Sequence, residues 1–251
     1  MKESLQSPSI KLISLNIELS KHLGTVLSFL EKQKPDVVCI QEIVENDIAR
    51  FVAILGGAEY VFAPTLRHME TQGNPIVGEA IFSGLRVARK DVQYYVGNTD
   101  NIPELRPSEM EEKGIAPMNC ALVTMSIEKE GSLFIVGTTH FTWSPDGEAT
   151  SAQRINMKRF LGIVDTYKNI VFTGDFNAPR GKEIFSVLAN KYKDNVPARY
   201  TTSIDGGLHR AGQLNLIVDG LFSTPGYTVS NVEMVSGLSD HCALVAEISR
   251  N

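Results

Sequence analysis

Short apolar runs alternate with amphipathic stretches along this chain. Residues 10–17, Ile-Lys-Leu-Ile-Ser-Leu-Asn-Ile, are apolar at most positions, as a central strand buried on both faces would be. Leu23, Val26, Leu27 and Leu30 then recur at helical spacing, ahead of Pro35, which disfavours helix in the residue before it. Residues 36–42, Asp-Val-Val-Cys-Ile-Gln-Glu, read as a second buried strand closing on Gln41-Glu42. Ser20 and Asn46 stand where they could start the helices that follow these strands. Strand, helix, strand, helix favours a layered α/β fold.

From residue 60 to 82 the pattern changes to short strands separated by turn residues, with a polar, glycine-bearing loop at 67–78. Residues 87–96 form a further strand. Residues 98–117, rich in Pro, Glu and Asn, read as a long surface loop that shapes a cleft. Residues 118–127 and 132–139 make a hairpin across Lys129-Glu130-Gly131. A helix is expected over 146–165, with Ile155, Phe160, Leu161 and Val164 as its apolar residues. Residues 191–214 are loop-like and contain His209-Arg210; strands are expected at 216–222, 227–235 and 242–248. No repeat or internal boundary is visible, so residues 1–251 are expected to form one catalytic domain, with 1–9 as a loose tail.

The chain is organised around residues 170–179, Ile-Val-Phe-Thr-Gly-Asp-Phe-Asn-Ala-Pro. The apolar start has the branched and aromatic content of a buried strand, and Gly174 is where that strand is expected to end in a tight turn. Asp175 and Asn177, at i and i+2, point the same way if the chain stays extended. Pro179 suits the first turn of a helix over 181–188. A carboxylate and a carboxamide thus stand at the carboxyl end of a buried strand, where sites of α/β sheets lie. Other strands also end in polar residues: Asn16, Glu42, His140, Asp219 and the Asp240-His241 pair. Carboxylates, amides and imidazoles without a set of thiolates suit a hard cation such as Mg²⁺ or Mn²⁺, with Glu42 as its principal ligand.

Composition narrows the picture. A net charge of −5 and a pI near 5.6 leave no global basic field to hold a long nucleic-acid duplex, while a small or locally engaged phosphate substrate fits. Cys39, Cys120 and Cys242 each lie in or beside an apolar run and read as buried free thiols of a reducing compartment. The N-terminus lacks an apolar stretch of the secretory kind, and no apolar run approaches the roughly 20 residues of a membrane span. The expectation is a soluble, cytoplasmic protein with no membrane span, working as a monomer.

Taken in order, Leu-Asn16, Gln41-Glu42, Thr-His140, Gly-Asp175-Phe-Asn177, Val-Asp219 and Ser239-Asp240-His241 resemble the endonuclease/exonuclease/phosphatase family over residues 10–248. The resemblance implies a four-layered α/β sandwich, with two mixed β-sheets face to face and helices outside. It implies an Mg²⁺- or Mn²⁺-dependent phosphoesterase using one or two ions, in which water attacks a phosphodiester. Nucleic acid is the expected substrate; a small phosphate ester or lipid headgroup is the alternative, and an inactive binding module a remote one. By the same resemblance Glu42 binds metal, helped by Asn16 and Asp240. Asp175 orients or deprotonates the water, and Asn177 holds it or a phosphate oxygen. His241 contacts the scissile phosphate, Asp219 fixes its tautomer, and His140 takes the second phosphate-side histidine place. The base is either Asp175 or the Asp219–His241 pair.

Two positions depart from the nucleic-acid-acting members: Leu15 precedes the first Asn where many have an aromatic, and Gly220 follows Asp219 where many carry one. Phe141 and Trp143 either stack on a base or pack the loop, with Trp143 the candidate substrate contact; Arg210 is a candidate phosphate clamp. Gln41 reads as a brace at the strand end and Arg154 as an ion-pair partner.

Overall fold

The computed structural model describes residues 7–108 and 117–251. Two mixed sheets lie face to face. The first runs in the order β12 (Tyr227–Val235), β13 (Ala243–Arg250), β1 (Ser9–Asn16), β2 (Val37–Val44), β4 (Ile76–Ser83), β3 (Glu59–His68), β6 (Glu104–Leu105). The second runs β10 (Lys193–Asp194), β11 (Asp219–Ser223), β9 (Val171–Asp175), β8 (Ser132–His140), β7 (Cys120–Lys129), β5 (Arg86–Val96). Helices α1 (Leu23–Gln33) and α2 (Ile48–Ile54) cover the outer face of the first sheet; α3 (Ser151–Val164) and α4 (Glu183–Ala189) cover the second. The expected four-layered sandwich is what forms.

Three apolar clusters fill the spaces between these layers. Between the sheets, Ile10, Leu12, Val37, Cys39 and Ile81 meet Val123, Met125, Val136, Val171 and Leu221, all buried. Outside the first sheet Ile13, Leu15, Val38 and Ile40 pack on Val26, Leu30 and Phe51. Outside the second, Phe141, Phe160, Phe172, Phe176, Phe185 and Phe222 pack together, with edge-on and stacked ring pairs at 5.3–6.3 Å.

Strand residues of one parity face the inter-sheet space, and along several strands that face grades from apolar to ionisable. On β8 it reads Val136, Thr138, His140; on β9, Val171, Thr173, Asp175; on β1, Leu12, Ser14, Asn16. The middle layer is polar, and a hydrogen bond there runs between the sheets. Gln41 donates to Thr138 Oγ1 at 2.7 Å and Ser14 Oγ at 3.3 Å, and so ties the two sheets just beneath the rim, the bracing role its position implied. The rim is where the ionisable side chains emerge.

Several local expectations change. Gly174 does not end its strand: it lies inside β9 at φ +147, and a Cβ there would meet Thr139 O of β8 at 1.9 Å. The helix expected from 146 begins at Ser151, because Asp146 sits at φ +54 in a short 3₁₀ turn and Thr150 with Gln153 forms a capping box. Ile155, counted among its apolar residues, is 53% exposed. Neither Ser20 nor Asn46 caps a helix: the N-cap positions are His22 and Asp47, and the Ser20 hydroxyl bonds Asp47 instead. The loop expected at 67–78 is shortened from both sides by β3 and β4, and the strand expected from 216 starts at Asp219. The tail is shorter than expected, since Ser9 already pairs with Ser249. Part of the 98–117 loop forms β6, parallel to β3; residues 109–116 lie outside the described residues. The hairpin closes on Glu130-Gly131, both at positive φ, a turn whose twist matches its strands. The three cysteines are buried free thiols, as read.

Candidate active site

Register builds the core of the site. Across the second sheet, His140 and Asp219 are the cross-strand partners of Asp175, so three adjacent strands present one row of side chains at the rim. His241 arrives from the turn before β13, where it bridges to Ile204. Residues 203–205 hold that turn and β11 together. Ser203 Oγ accepts the Val218 and Asp219 N–H groups, Cys242 N–H donates to Ser203 O, and Asp205 N–H donates to Asp240 O. From the first sheet come Asn16 at the end of β1 and Glu42 in β2. A β-bulge between Ile40 and Ile43, with Glu42 at φ +56, turns that carboxylate toward the cleft.

Asp175 is the centre, 2% exposed. Its Oδ2 lies 3.5 Å from His140 Nε2 and 3.7 Å from His241 Nε2, and accepts from Asn16 Nδ2 at 3.2 Å. Its Oδ1 accepts the Asn177 N–H at 2.8 Å. The chain does not stay extended here: Asn177 turns at φ +48, and its amide donates to Phe141 O at 2.9 Å. His241 Nδ1 meets Asp219 Oδ2 at 2.8 Å. Asn16 Nδ2 also donates to Glu42 Oε1 at 3.0 Å, while His140 Nε2 stands 4.0 Å from that oxygen. Glu42, His140, Asp175, Asn177 and His241 line one cleft of about 320 Å³ together with Asp240, Trp143, His209 and Arg210, with Asn16 and Asp219 bonded behind them.

Charge is distributed unevenly. Burial opposes the imidazolium of His241 and pushes the Asp219 carboxyl up, but the adjacent Asp219 and Asp175 carboxylates outweigh it and hold His241 well above the usual imidazole range. Asp175, Asp219 and His241 bring ligand-type atoms within 4.8 Å of one another, yet His241 supplies a cation within the group. The other lip is different. Burial, and then the Glu42 and Glu18 carboxylates, push Asp240 up to about 6 against the pull of His241. Carboxylate and amide oxygens grouped at one lip fit a hard divalent ion, so Glu42, Asp240 and Asn16 are the residues that could hold one. Asn16 Oδ1 accepts the Glu18 N–H at 3.1 Å, so its ligation would require the amide to turn. Behind this lip Glu79 is fully buried and burial raises its carboxyl well above the usual range; the Thr65 hydroxyl beside it donates to Val77 O instead.

All ten candidate site residues read from the sequence face this cleft or bond to a group that does. Phe141 does not face it: it is buried on Tyr95 and Phe160, which assigns it to packing. Arg154 forms a two-pronged pair with Glu183 at 2.6 and 2.7 Å, as its ion-pair reading implied. Phe176 and Phe222 fill the space a side chain at Gly220 would need. Three contributors went unread. Glu18 and Leu19 turn into the cleft at φ +46 and +62, a left-handed pair with no sequence signal. Gln153 braces the loop after His140 by donating to Thr142 O at 2.8 Å, and the Thr150-x-x-Gln153 capping pattern could have found it. An apolar wall from β3, β4 and β6 lines the cleft opposite the histidines.

The sandwich, with carboxylates, amides and histidines gathered on one rim between its sheets, defines a class of phosphoesterases. A model of the endonuclease/exonuclease/phosphatase family matches residues 13–241, and the chain belongs to that family. No curated protein matches it by sequence. Among solved structures it is similar to an endonuclease/exonuclease/phosphatase from Bacteroides vulgatus (TM-score 0.73, 17% identity, 97% of this chain and 100% of that one). It is also similar to ANGEL2, a 2′,3′-cyclic phosphatase in complex with adenosine-2′,3′-vanadate (TM-score 0.70, 12% identity, 99% and 97%). A third is the mannosyl-6-phosphatase Bt3783 of Bacteroides thetaiotaomicron VPI-5482 (TM-score 0.65, 12% identity, 95% and 99%). At such identities the likeness is one of fold.

Proposed function

We propose that this chain is a divalent-metal-assisted phosphodiesterase that hydrolyses nucleic acid at short, frayed or single-stranded segments. The observation that carries the reading is the position of Asp175, within 4 Å of two imidazoles and joined through Asn16 to Glu42. Glu42 and Asp240, with Asn16, would hold Mg²⁺ or Mn²⁺, which supplies Lewis-acid stabilisation of phosphoryl oxygen charge when bound.

The remaining work falls to the protein. His241 has Nδ1 on Asp219, and the Asp219 and Asp175 carboxylates favour its charged form, which suits its Nε2–H to donate to a phosphate oxygen. That leaves Asp175 Oδ2 to orient the water and accept its proton as the new P–O bond forms and the ester P–O bond breaks, the leaving oxygen departing with the bond electrons and taking a proton from solvent. His140 contacts the phosphate from the other side. Asn177 is tied to Phe141 O and Asp175, and so acts by fixing the Asp175 carboxylate. A cleft of about 320 Å³ accommodates one nucleotide-sized group, and its acidic lip gives no track for a long duplex.

The same compact cleft favours a second reading, a small phosphate ester. A panel run with Mg²⁺ and with Mn²⁺, containing a dinucleotide, a single-stranded oligonucleotide, a duplex, a sugar phosphate and an inositol phosphate, tests both. Turnover of the dinucleotide and the single strand is expected. Inert nucleic acid beside robust sugar- or inositol-phosphate turnover would overturn the first reading.

A further inference from the structure

One side of the cleft carries no chemistry. Leu66, Val77 and Val44 form a small cluster separate from the three cores, with Leu19, Leu105 and Met118 partly buried against it. All of these but Val44 line the cleft that holds Glu42, His140, Asp175 and His241. The nearest hydroxyl, Thr65, is 1% exposed and spends its proton on Val77 O. His68 stands at the edge of the wall, its Nδ1 held by Thr71 Oγ1 at 2.8 Å, so that Nε2 is the polar atom left to face a ligand.

This wall discriminates between substrate classes. A sugar or inositol phosphate seated at the phosphate-side histidines would press hydroxyls against Leu66, Val77, Leu105 and Met118, whose side chains offer them no hydrogen bond. Burying a hydroxyl without a hydrogen-bond partner is unfavourable, so such ligands bind this wall poorly. A flat, largely apolar group with polar atoms only at its edge fits instead, its face on the leucine and methionine side chains and its edge at His68. Lone apolar walls beside a few directional polar groups are how small-molecule sites fix orientation. We propose that Leu66, Val77, Leu105 and Met118 form a nucleobase subsite, so that the ester cleaved is a nucleoside phosphate. The inference rests on the hydrolase reading above and deepens it.

Binding of AMP and of ribose 5-phosphate to the full chain, measured calorimetrically with Mg²⁺ present, separates the base from the phosphate. The two ligands share the phosphate and sugar and differ in the base. The wild type is expected to bind AMP at least about fivefold more tightly, as burial of the flat face of a base on apolar side chains supplies. The double variant Leu105→Ser, Met118→Ser changes only partly buried positions, and its circular dichroism and melting temperature report whether the fold is kept. In it the AMP preference should fall to within twofold while ribose 5-phosphate affinity is unchanged. A second variant, Leu105→Met, keeps the wall apolar and should retain the preference. Equal affinity for both ligands in the wild type overturns the subsite, as does a preference that survives the double variant or a loss of affinity for both ligands together. If neither binds and no nucleotide ester is turned over, the hydrolase reading on nucleic acid fails first, and the subsite with it.

Discussion

Two carboxylate–imidazole arrangements meet at Asp175, and they are built differently. Asp219 and His241 are buried, 2.8 Å apart, and held by a loop whose backbone and Ser203 hydroxyl are fully engaged. Glu42 and His140 stand 4.0 Å apart, and the Glu42 side chain is 31% exposed. Asn16 bridges Glu42 to Asp175, and the Glu42 carboxylate in turn raises the Asp240 carboxyl. The fold pairs the carboxylate of one half directly with its imidazole and leaves the carboxylate of the other half open to the cleft. On the proposed mechanism the His241 half donates to the phosphate, the Glu42 half takes the ion, and Asp175 between them handles the proton.

The largest effect should come from the residue the halves share. Asp175→Asn is nearly isosteric and removes the charge that orients and deprotonates water, so kcat should fall about 10²–10⁴-fold. Steady-state kinetics should place the loss in kcat rather than KM. A loss confined to KM would make Asp175 a binding residue only.

Breaking the fixed half should also be felt in stability. Asp219→Ala leaves the His241 imidazolium buried without its partner, and loss of one member of a buried pair costs about 3–5 kcal/mol. Urea unfolding measures it. Glu183→Ala, which breaks the exposed pair with Arg154, should leave the midpoint unchanged and serves as the control. Similar midpoints for both variants would show that the Asp219–His241 contact is not the fixed element it is taken to be.

The open half should respond to ion concentration. Glu42→Gln replaces a charged ligand by a neutral one and should cut the rate at limiting Mg²⁺ by about tenfold or more, with a folded state unchanged by circular dichroism. The smallest effect is expected at the rim. Trp143→Ala should raise KM on a single-stranded oligonucleotide by about tenfold or less and spare a small chromogenic diester. Equal losses on both substrates would assign Trp143 to packing, as the structure already does for Phe141.

How far the sequence disclosed this molecule depended on the kind of signal. The layered fold was legible because hydrophobic periodicity is local, and the row formed by His140, Asp175 and Asp219 because each side chain ends or begins a strand. What was missed depends on backbone turns that sequence does not mark. Glu18 and Leu19 enter the cleft through left-handed residues, and Glu42 reaches it only because a bulge turns it off the regular strand alternation. Gly174 misled for a related reason: its need for glycine comes from Thr139 O on the neighbouring strand, a contact distant in sequence. The apolar wall drew on Leu66, Val77, Leu105 and Met118, which read simply as strand and loop residues until three strands and the segment before β7 brought them together.

The division of labour between the two halves is tested most directly by titrating Mg²⁺ against the dinucleotide hydrolysis rate for wild type, Glu42→Gln and Asp175→Asn side by side. The account predicts that Glu42→Gln needs more Mg²⁺ and climbs back toward the wild-type plateau, while Asp175→Asn saturates at the wild-type Mg²⁺ concentration with a plateau about 10²–10⁴-fold lower. The reverse pattern, with Asp175→Asn rescued by Mg²⁺ and Glu42→Gln not, would contradict it.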